Sequence, residues 1–213
     1  MGKEIKIFIS SRFYEFREIR EKIKQEEFSN LKSIGLKLNM LDNREGIADA
    51  RSPAIASIEE ASNSDIFVLL LGETYKEPLD NKKSYTHLEY DSAIKKGLHI
   101  LAFPVGDCYN PANLQLSTHP IFRLFQESIR ENNNHITADY FPTNYSVDEL
   151  YNKIYKTVEE YINLLIHKGL IADIDPNKIS PQLFKSHYQT NFKTISLLIN
   201  NNAKPIEDIF VNL

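Results

Sequence analysis

The stretch Ile66–Leu71 most constrains the fold of this chain, because six consecutive residues carry apolar side chains. A strand with one solvated face alternates apolar and polar residues, whereas a strand covered by helices on both faces is apolar throughout. The run is also far shorter than the roughly 20 residues that cross a bilayer. It therefore predicts the central strand of a parallel sheet with helices on both faces, and it is no membrane span.

Strands and helices are predicted to alternate along the first half of the chain. Apolar runs predict strands, and apolar positions at helical spacing among charged residues predict amphipathic helices. The predicted strands are Ile5–Ile9, Leu36–Leu41 near a sheet edge, Ile66–Leu71 and Ile100–Phe103. The predicted helices are one that buries Phe16, Ile19, Ile23 and Leu31, one that starts at Ser52–Pro53 and buries Ile55, Ile58 and Ala61, and one from Thr86 to Gly97. Such alternation is typical of an α/β domain with a mostly parallel sheet and right-handed crossovers.

The sequence predicts one α/β domain over residues 1–168 and a different segment over residues 169–213. A helix over 121–130 and a short strand at Tyr140–Phe141 complete the domain, and a capping box at Ser146–Glu149 starts its closing helix. The remainder resembles a linker, a helix and the start of a strand. We therefore expect a helical C-terminal extension that leads into a downstream module, in a protein longer than this chain.

The composition of the chain limits the kinds of ligand and partner that we expect. A net charge of -4 with both signs interspersed leaves no basic face for a nucleic-acid backbone, although a nucleotide-sized ligand remains possible. The single Cys108 and the absence of a signal peptide before the first strand predict a cytoplasmic location. The histidines lack metal-ligand spacing, and the chain has neither a phosphate-binding glycine loop nor a Rossmann fingerprint. We expect no metal, no cofactor and no kinase or Rossmann-type dehydrogenase activity.

Polar side chains gather where the predicted strands end, and in an open parallel sheet this edge holds the ligand. Ser10 and Ser11 are expected to precede a helix N-terminus, whose free amides favour an anion such as phosphate. Plain helix capping is the alternative for both serines. The other residues delivered to this edge are Arg12, Asp42, Arg44, Gly72, Tyr75 and Pro104, together with Glu89 from the third helix.

Two interpretations of Glu89 stay open from the sequence. Thr86–Glu89 fits a capping box, in which the carboxylate only satisfies the amide of the N-cap residue. Alternatively, a carboxylate in a cleft beside Tyr75 and Tyr90 could bind ribose hydroxyls or stabilise an oxocarbenium-like centre, as glycosidic bond cleavage requires. His87 is either a proton donor or an ordinary cap or surface residue.

Five motifs in order resemble the TIR-like domain of unknown function at the N-terminus of many bacterial signalling and antiphage proteins. They are Lys6–Phe13, Ala50–Pro53, Asn63–Val68, Leu71–Tyr75 and Thr86–Tyr90, within about residues 3–105. That family is similar to TIR domains and nucleoside 2-deoxyribosyltransferases. The resemblance implies a flavodoxin-like fold whose shared glutamate, matched here by Glu89, lies on the helix after the central strand.

The resemblance also implies a reaction, namely hydrolysis of the N-glycosidic bond of NAD with Glu89 as the catalytic residue. NAD is then a substrate, and no further cofactor is implied. The predicted substrate-binding residues are Ser10, Ser11, Arg12, Phe13, Asp42, Arg51, Gly72, Tyr75, His87 and Tyr90. A nucleoside or nucleotide base hydrolase or transferase is one alternative. A non-catalytic self-association module is another, because Thr86-His87-Leu88 replaces the Trp-Cys pair that commonly precedes the TIR glutamate.

The C-terminal segment Lys204–Leu213 is similar to the lead into NACHT-type ATPase modules of STAND sensors. This second resemblance implies an effector domain that works as a homo-oligomer under the control of a downstream ATPase and sensor. If the domain is instead a non-catalytic self-association module, we expect the exposed polar loop from Asp42 to Arg51 to contribute to self-association. Neither a membrane nor a nucleic acid is among the expected partners.

Overall fold

The computed structural model describes residues 4–26, 28, 37–41, 53–75, 83–131, 135–137 and 140–167, with the backbone alone for 37–41, 53–54, 113 and 135–137. Contacts divide the chain into the units Met1–Asp173 and Ile174–Leu213, and all described residues belong to the first. The predicted extension over 169–213 lies outside the described residues, so the domain boundary stays a prediction.

Strands and helices alternate along the described chain. The strands are β1 (Glu4–Ser11), β2 (Lys37–Leu41), β3 (Ile66–Leu71), β4 (Ile100–Pro104) and β5 (His135–Thr137). The helices are α1 (Arg17–Glu26), α2 (Pro53–Ser62), α3 (Tyr85–Lys95), α4 (Pro120–Glu131) and α5 (Val147–His167). Two 3₁₀ turns, Asp107–Tyr109 and Pro111–Asn113, connect β4 to α4.

The described strands form one parallel sheet in the order β2-β1-β3-β4-β5. This is the flavodoxin-like order, in which the chain moves from β1 outward to β2 and then crosses to the other side of β1. The ligand crevice of such a sheet lies outside the carboxyl ends of β1 and β3, where the winding direction reverses. The predicted flavodoxin-like fold is confirmed, and so are the edge position of β2 and the interior position of β3.

Both faces of β3 are buried, as its uninterrupted apolar sequence predicts. Phe67, Leu69 and Leu71 belong to a core cluster that also contains residues of α2, α3 and α4. Successive side chains of a strand point to opposite faces, so the intervening residues of β3 face the other side. There α1 and α5 pack against each other, and their buried residues Ile19 and Ile154 lie outside that cluster. Helices therefore cover both faces of the sheet.

The third helix begins one residue earlier than the sequence predicts and ends at Lys95, two residues before the predicted Gly97. Ser84 is its N-cap, with extended backbone and a hydroxyl that accepts from the amide of His87. At the other end Gly97 has φ 73, its amide donates to Ile94, and the amide of Leu98 donates to Ala93. This pair of bonds is a Schellman motif, which requires a left-handed residue and favours glycine there.

Two local predictions were wrong. The fifth strand is His135–Thr137 rather than Tyr140–Phe141, because pairing with β4 selects the segment, while Phe141 makes only an isolated bridge to Val105. In α2, Ile55 was expected on the buried face but is 51% exposed, whereas Ala56 is 6% exposed. Close packing of α2 beside α3 favours the small side chain on the inner face.

Candidate active site

A cavity of about 320 Å³ opens beyond the carboxyl ends of β1 and β3, at the crevice that the strand order predicts. Its volume lies within the range of small-molecule sites. The turn after β1, the loop after β3 and the first turn of α3 form its walls, and two phenylalanines of α4 complete them. The predicted site residues among its lining are Ser11, Arg12, Phe13, Gly72 and Tyr75.

The other predicted residues have different positions. Ser10, His87, Glu89 and Tyr90 are buried and do not belong to the cavity lining. Asp42, Arg44 and Arg51 lie outside the described residues, as does the loop that they delimit. Tyr90 is part of the core, where its ring meets Phe125 edge-on at 5.1 Å between centroids.

Glu89 joins three elements at the base of the crevice. Its Oε2 accepts a hydrogen bond of 2.6 Å from the hydroxyl of Ser10 in β1. Its Oε1 accepts from the hydroxyl of Ser57 in α2. The side chain is 8% exposed and lies one turn of α3 beyond Tyr85 and Thr86, which do line the cavity. A carboxylate is thus fixed directly behind the cavity wall.

The capping-box interpretation of Glu89 is wrong. Ser84, not Thr86, is the N-cap of α3, so Glu89 is the fifth helical residue and cannot reach back to the N-cap amide. The alternative role of Ser10 and Ser11 as helix caps is wrong as well. Both serines are still in β1, and α1 begins only at Arg17 after an intervening turn. The proposed anion site at an immediately adjacent helix N-terminus is therefore absent from this part of the described chain.

The two serines instead have separate side-chain partners. Ser10 holds Glu89, whereas the hydroxyl of Ser11 accepts a 2.8 Å hydrogen bond from the guanidinium of Arg20 in α1. The same guanidinium nitrogen donates to the carbonyl of Ile9 at 3.0 Å. Arg20 thus locks the end of β1 onto the first helix, and Ser11 lines the cavity from a fixed backbone.

Tyr75 and His87 form a hydrogen-bonded pair beside the cavity. The hydroxyl of Tyr75 lies 3.0 Å from Nδ1 of His87 and accepts from the amide of Ser84 at 2.9 Å. The Ser84 amide donates to the Tyr75 oxygen, so the hydroxyl proton of Tyr75 is available for donation to Nδ1 of His87. This arrangement favours the Nε2-protonated tautomer of His87. The imidazole stacks on Phe125 at 4.2 Å, and Tyr75 stacks on Phe122 at 5.0 Å.

His87 is a buried neutral imidazole rather than the cap or surface residue that the sequence left open. Burial lowers its pKa to about 4, the carboxylate of Asp91 opposes that change, and the ammonium of Lys83 adds to it. Nε2 lies 3.7 Å from Asp91, which is too far for a hydrogen bond. At neutral pH, His87 therefore supplies no charged proton donor to the crevice.

A second cluster of polar residues is centred on Glu15 at the mouth of the crevice. Arg12 contacts the hydroxyl of Thr74 and lies 3.7 Å from the carboxylate of Glu15. Glu15 accepts from the amide of Glu73 at 3.1 Å and from the hydroxyl of Thr74 at 2.5 Å. The positive charge of Arg12 is therefore partly balanced within the protein.

The loop after β3 is anchored from its other side by Tyr109. Its hydroxyl donates to the carbonyl of Gly72 at 2.7 Å and accepts from Gln126 at 3.1 Å. Nearby, Glu73 accepts from the amide of Cys108 at 3.1 Å. Burial and the carboxylate of Glu73 raise the pKa of Cys108 to about 12, which makes this thiol a poor nucleophile.

Sequence reasoning missed several contributors to the crevice. Glu15 and Ser57 look like ordinary polar positions in a turn and a helix, and only folding brings them to Gly72 and Glu89. Phe122 and Phe125 carry a local signal, since residues three apart share a helix face. That signal predicts a buried helix face but not which surface it covers.

The family described as "Domain of unknown function (DUF4062)" matches residues 6–160, which is most of the chain and runs from within β1 past the end of β5. The chain belongs to the DUF4062 family. No match was found among curated proteins.

Three solved structures are similar to this DUF4062 domain. A conserved protein from Enterococcus faecalis V583 has 16% identity and a TM-score of 0.39, over 73% of this chain and 99% of the other. A CMP N-glycosidase from Clostridium botulinum has 15% identity and a TM-score of 0.39, over 73% and 98%. A 2-deoxyribosyltransferase from Bacillus psychrosaccharolyticus has 14% identity and a TM-score of 0.35, over 69% and 90%.

No group of three or more His, Cys, Asp and Glu side chains in the described ranges is placed to hold a metal ion. Within the same ranges, none of the helices has both the length and the apolar composition that a bilayer crossing needs.

Proposed function

We propose that this DUF4062 domain cleaves the N-glycosidic bond of a nucleoside or nucleotide, with Glu89 as the catalytic carboxylate. The observation that carries the proposal is the position of Glu89 at the switch point of the sheet. Hydroxyls from β1 and α2 bind its two oxygens beside a nucleoside-sized cavity. These two partners are neutral hydroxyls, and a carboxylate can stabilise positive charge that develops nearby.

The arrangement fits the chemistry of the reaction. Departure of a base from ribose leaves an oxocarbenium-like centre, which a nearby carboxylate stabilises electrostatically. A ribose diol can donate to carboxylate oxygens in the same way as the hydroxyls of Ser10 and Ser57 do. In this mechanism the substrate enters beside Ser11 and Thr86, and its sugar takes over one of the hydroxyl positions at Glu89.

NAD is the substrate that we propose within this class, on the ground of the sequence resemblance to TIR-like domains. A role in antiphage defence and activation by oligomerisation are proposed on the same ground. A downstream ATPase and sensor module of the STAND type is proposed from the resemblance of Lys204–Leu213, and a cytoplasmic location from the single Cys108. The tyrosine pair of the crevice, Tyr75 and the exposed Tyr85, offers flat surfaces to a nicotinamide or a nucleobase.

The test is a substrate panel with the full chain and with any longer natural form. NAD, nucleosides and nucleoside monophosphates are incubated with the protein, and release of nicotinamide or free base is followed by chromatography. We expect Glu89→Gln to lower turnover by about 100-fold or more, as loss of one electrostatic stabiliser does elsewhere. Glu127→Gln is the matched control, because Glu127 forms an ion pair with Arg123 within α4 and does not line the cavity. Equal turnover in Glu89→Gln and wild type removes Glu89 from the mechanism.

A non-catalytic self-association module is the second candidate, and one observation favours it. Glu89 stands behind the cavity wall with both oxygens bonded to serines, which is also the geometry of a purely structural carboxylate. This candidate predicts no turnover in any oligomeric state, together with lower thermal stability of Glu89→Gln. Sedimentation of the full chain over a concentration series measures the association itself.

A further inference from the structure

Glu15 makes more polar contacts than a surface turn residue needs. One carboxylate oxygen accepts from the amide of Glu73, and the other accepts from the hydroxyl of Thr74 and lies near the guanidinium of Arg12. The side chain is 23% exposed. A single carboxylate therefore connects the turn after β1 to the loop after β3, and two of its partners, Arg12 and Thr74, line the cavity.

Gly72 explains how the carboxylate of Glu15 reaches that position. A Cβ built on Gly72 collides with the carboxylate of Glu15. The positive-φ glycines among the described residues are Gly97 and Gly106, so the backbone of Gly72 does not itself demand glycine. Glycine is required at position 72 because the carboxylate of Glu15 occupies the space that a Cβ would need.

We infer that Glu15 is a positioning residue, which fixes Arg12 and Thr74 at the cavity wall. It does so through its hydrogen bonds to the amide of Glu73 and the hydroxyl of Thr74 in the loop after β3, and these two bonds form the tie between the turn and the loop. Gly72 is the part of the tie that leaves room for the carboxylate. The consequence for ligand binding rests on the proposed function, whereas the tie itself is independent of it.

The first experiment measures the tie directly. Hydrogen exchange of the Glu73 amide is followed by NMR in the ¹⁵N-labelled full chain. Glu15→Ala removes the carboxylate that accepts from the Glu73 amide. Gly72→Ala displaces that carboxylate, because the atoms that the new Cβ meets are the end of the flexible Glu15 side chain. We expect both variants to speed exchange at Glu73 by about tenfold or more, since the net strength of a hydrogen bond to a charged acceptor corresponds to such a factor.

Three further variants make this result specific. Glu15→Gln keeps an oxygen acceptor and should restore most of the protection at Glu73. Glu21→Ala is the matched control, because Glu21 is an exposed carboxylate whose ion pair with Arg17 lies within α1. The double variant Glu15→Ala with Gly72→Ala should exchange no faster than either single variant, because the collision disappears with the carboxylate.

The second measurement separates this inference from the proposed function. With a substrate identified by the panel, Glu15→Ala and Gly72→Ala should raise KM by about tenfold while kcat changes by less than about threefold, as loss of uniform binding predicts. An absence of turnover refutes the proposed function and leaves the exchange result to decide the tie. Unchanged exchange at Glu73 in Glu15→Ala overturns the inference, and so do additive effects in the double variant.

Discussion

The buried imidazole of His87 predicts how the stability of this domain depends on pH. Its side chain is 5% exposed, and burial lowers its pKa to about 4 from 6.5. The unfolded chain therefore binds the proton more readily, so the contribution of His87 is complete above about pH 6.5 and is lost as the pH falls toward 4. At about 1.4 kcal/mol per pH unit, this interval corresponds to about 3 kcal/mol of unfolding free energy.

Urea unfolding of wild type and His87→Gln at about pH 4.5, 5.5, 6.5 and 7.5 measures this contribution. Glutamine can still accept from Tyr75 but does not titrate, so the variant should lose stability less steeply on acidification. His99→Gln is the control, because His99 is an exposed imidazole in the same half of the chain. Parallel pH curves for wild type and His87→Gln refute the reasoning, as does an NMR titration of His87 near pH 6.5.

Three other predictions follow from single positions. Leu69→Ala removes a side chain with no exposure from the centre of the sheet and should lower the unfolding free energy by about 2 to 5 kcal/mol in urea titrations. Gly97→Ala places a Cβ at φ 73 and should cost about 1 kcal/mol in the same assay, without a collision, because no described heavy atom beyond the adjacent residues lies within 4 Å of that Cβ. Cys108, with its pKa raised to about 12, should be alkylated by iodoacetamide at least about 100-fold more slowly than a free cysteine at neutral pH, and a rate equal to that of the urea-unfolded chain contradicts this.

The candidate site was predictable only where a residue follows directly from a strand end. Ser11, Arg12, Gly72 and Tyr75 line the cavity because the carboxyl ends of parallel strands meet at one edge. Glu89 reaches the same edge, but its actual partners are Ser10 and Ser57 rather than the N-cap amide that local sequence suggested. Hydrogen bonds over 79 and 32 residues of chain have no local sequence signature.

The sequence by itself determined the layers of this protein. The apolar run of β3 requires cover on both faces, since six consecutive apolar residues cannot face water, and alternation with amphipathic helices then yields a parallel α/β sheet. Only the tertiary structure decided which polar groups meet in the crevice. Whether Glu15 ties two loops, and whether His87 stays neutral, depends on neighbours brought in from other elements. Burial and hydrogen bonding are properties of that assembled neighbourhood, because the energy of a charge depends on everything within a few ångströms of it.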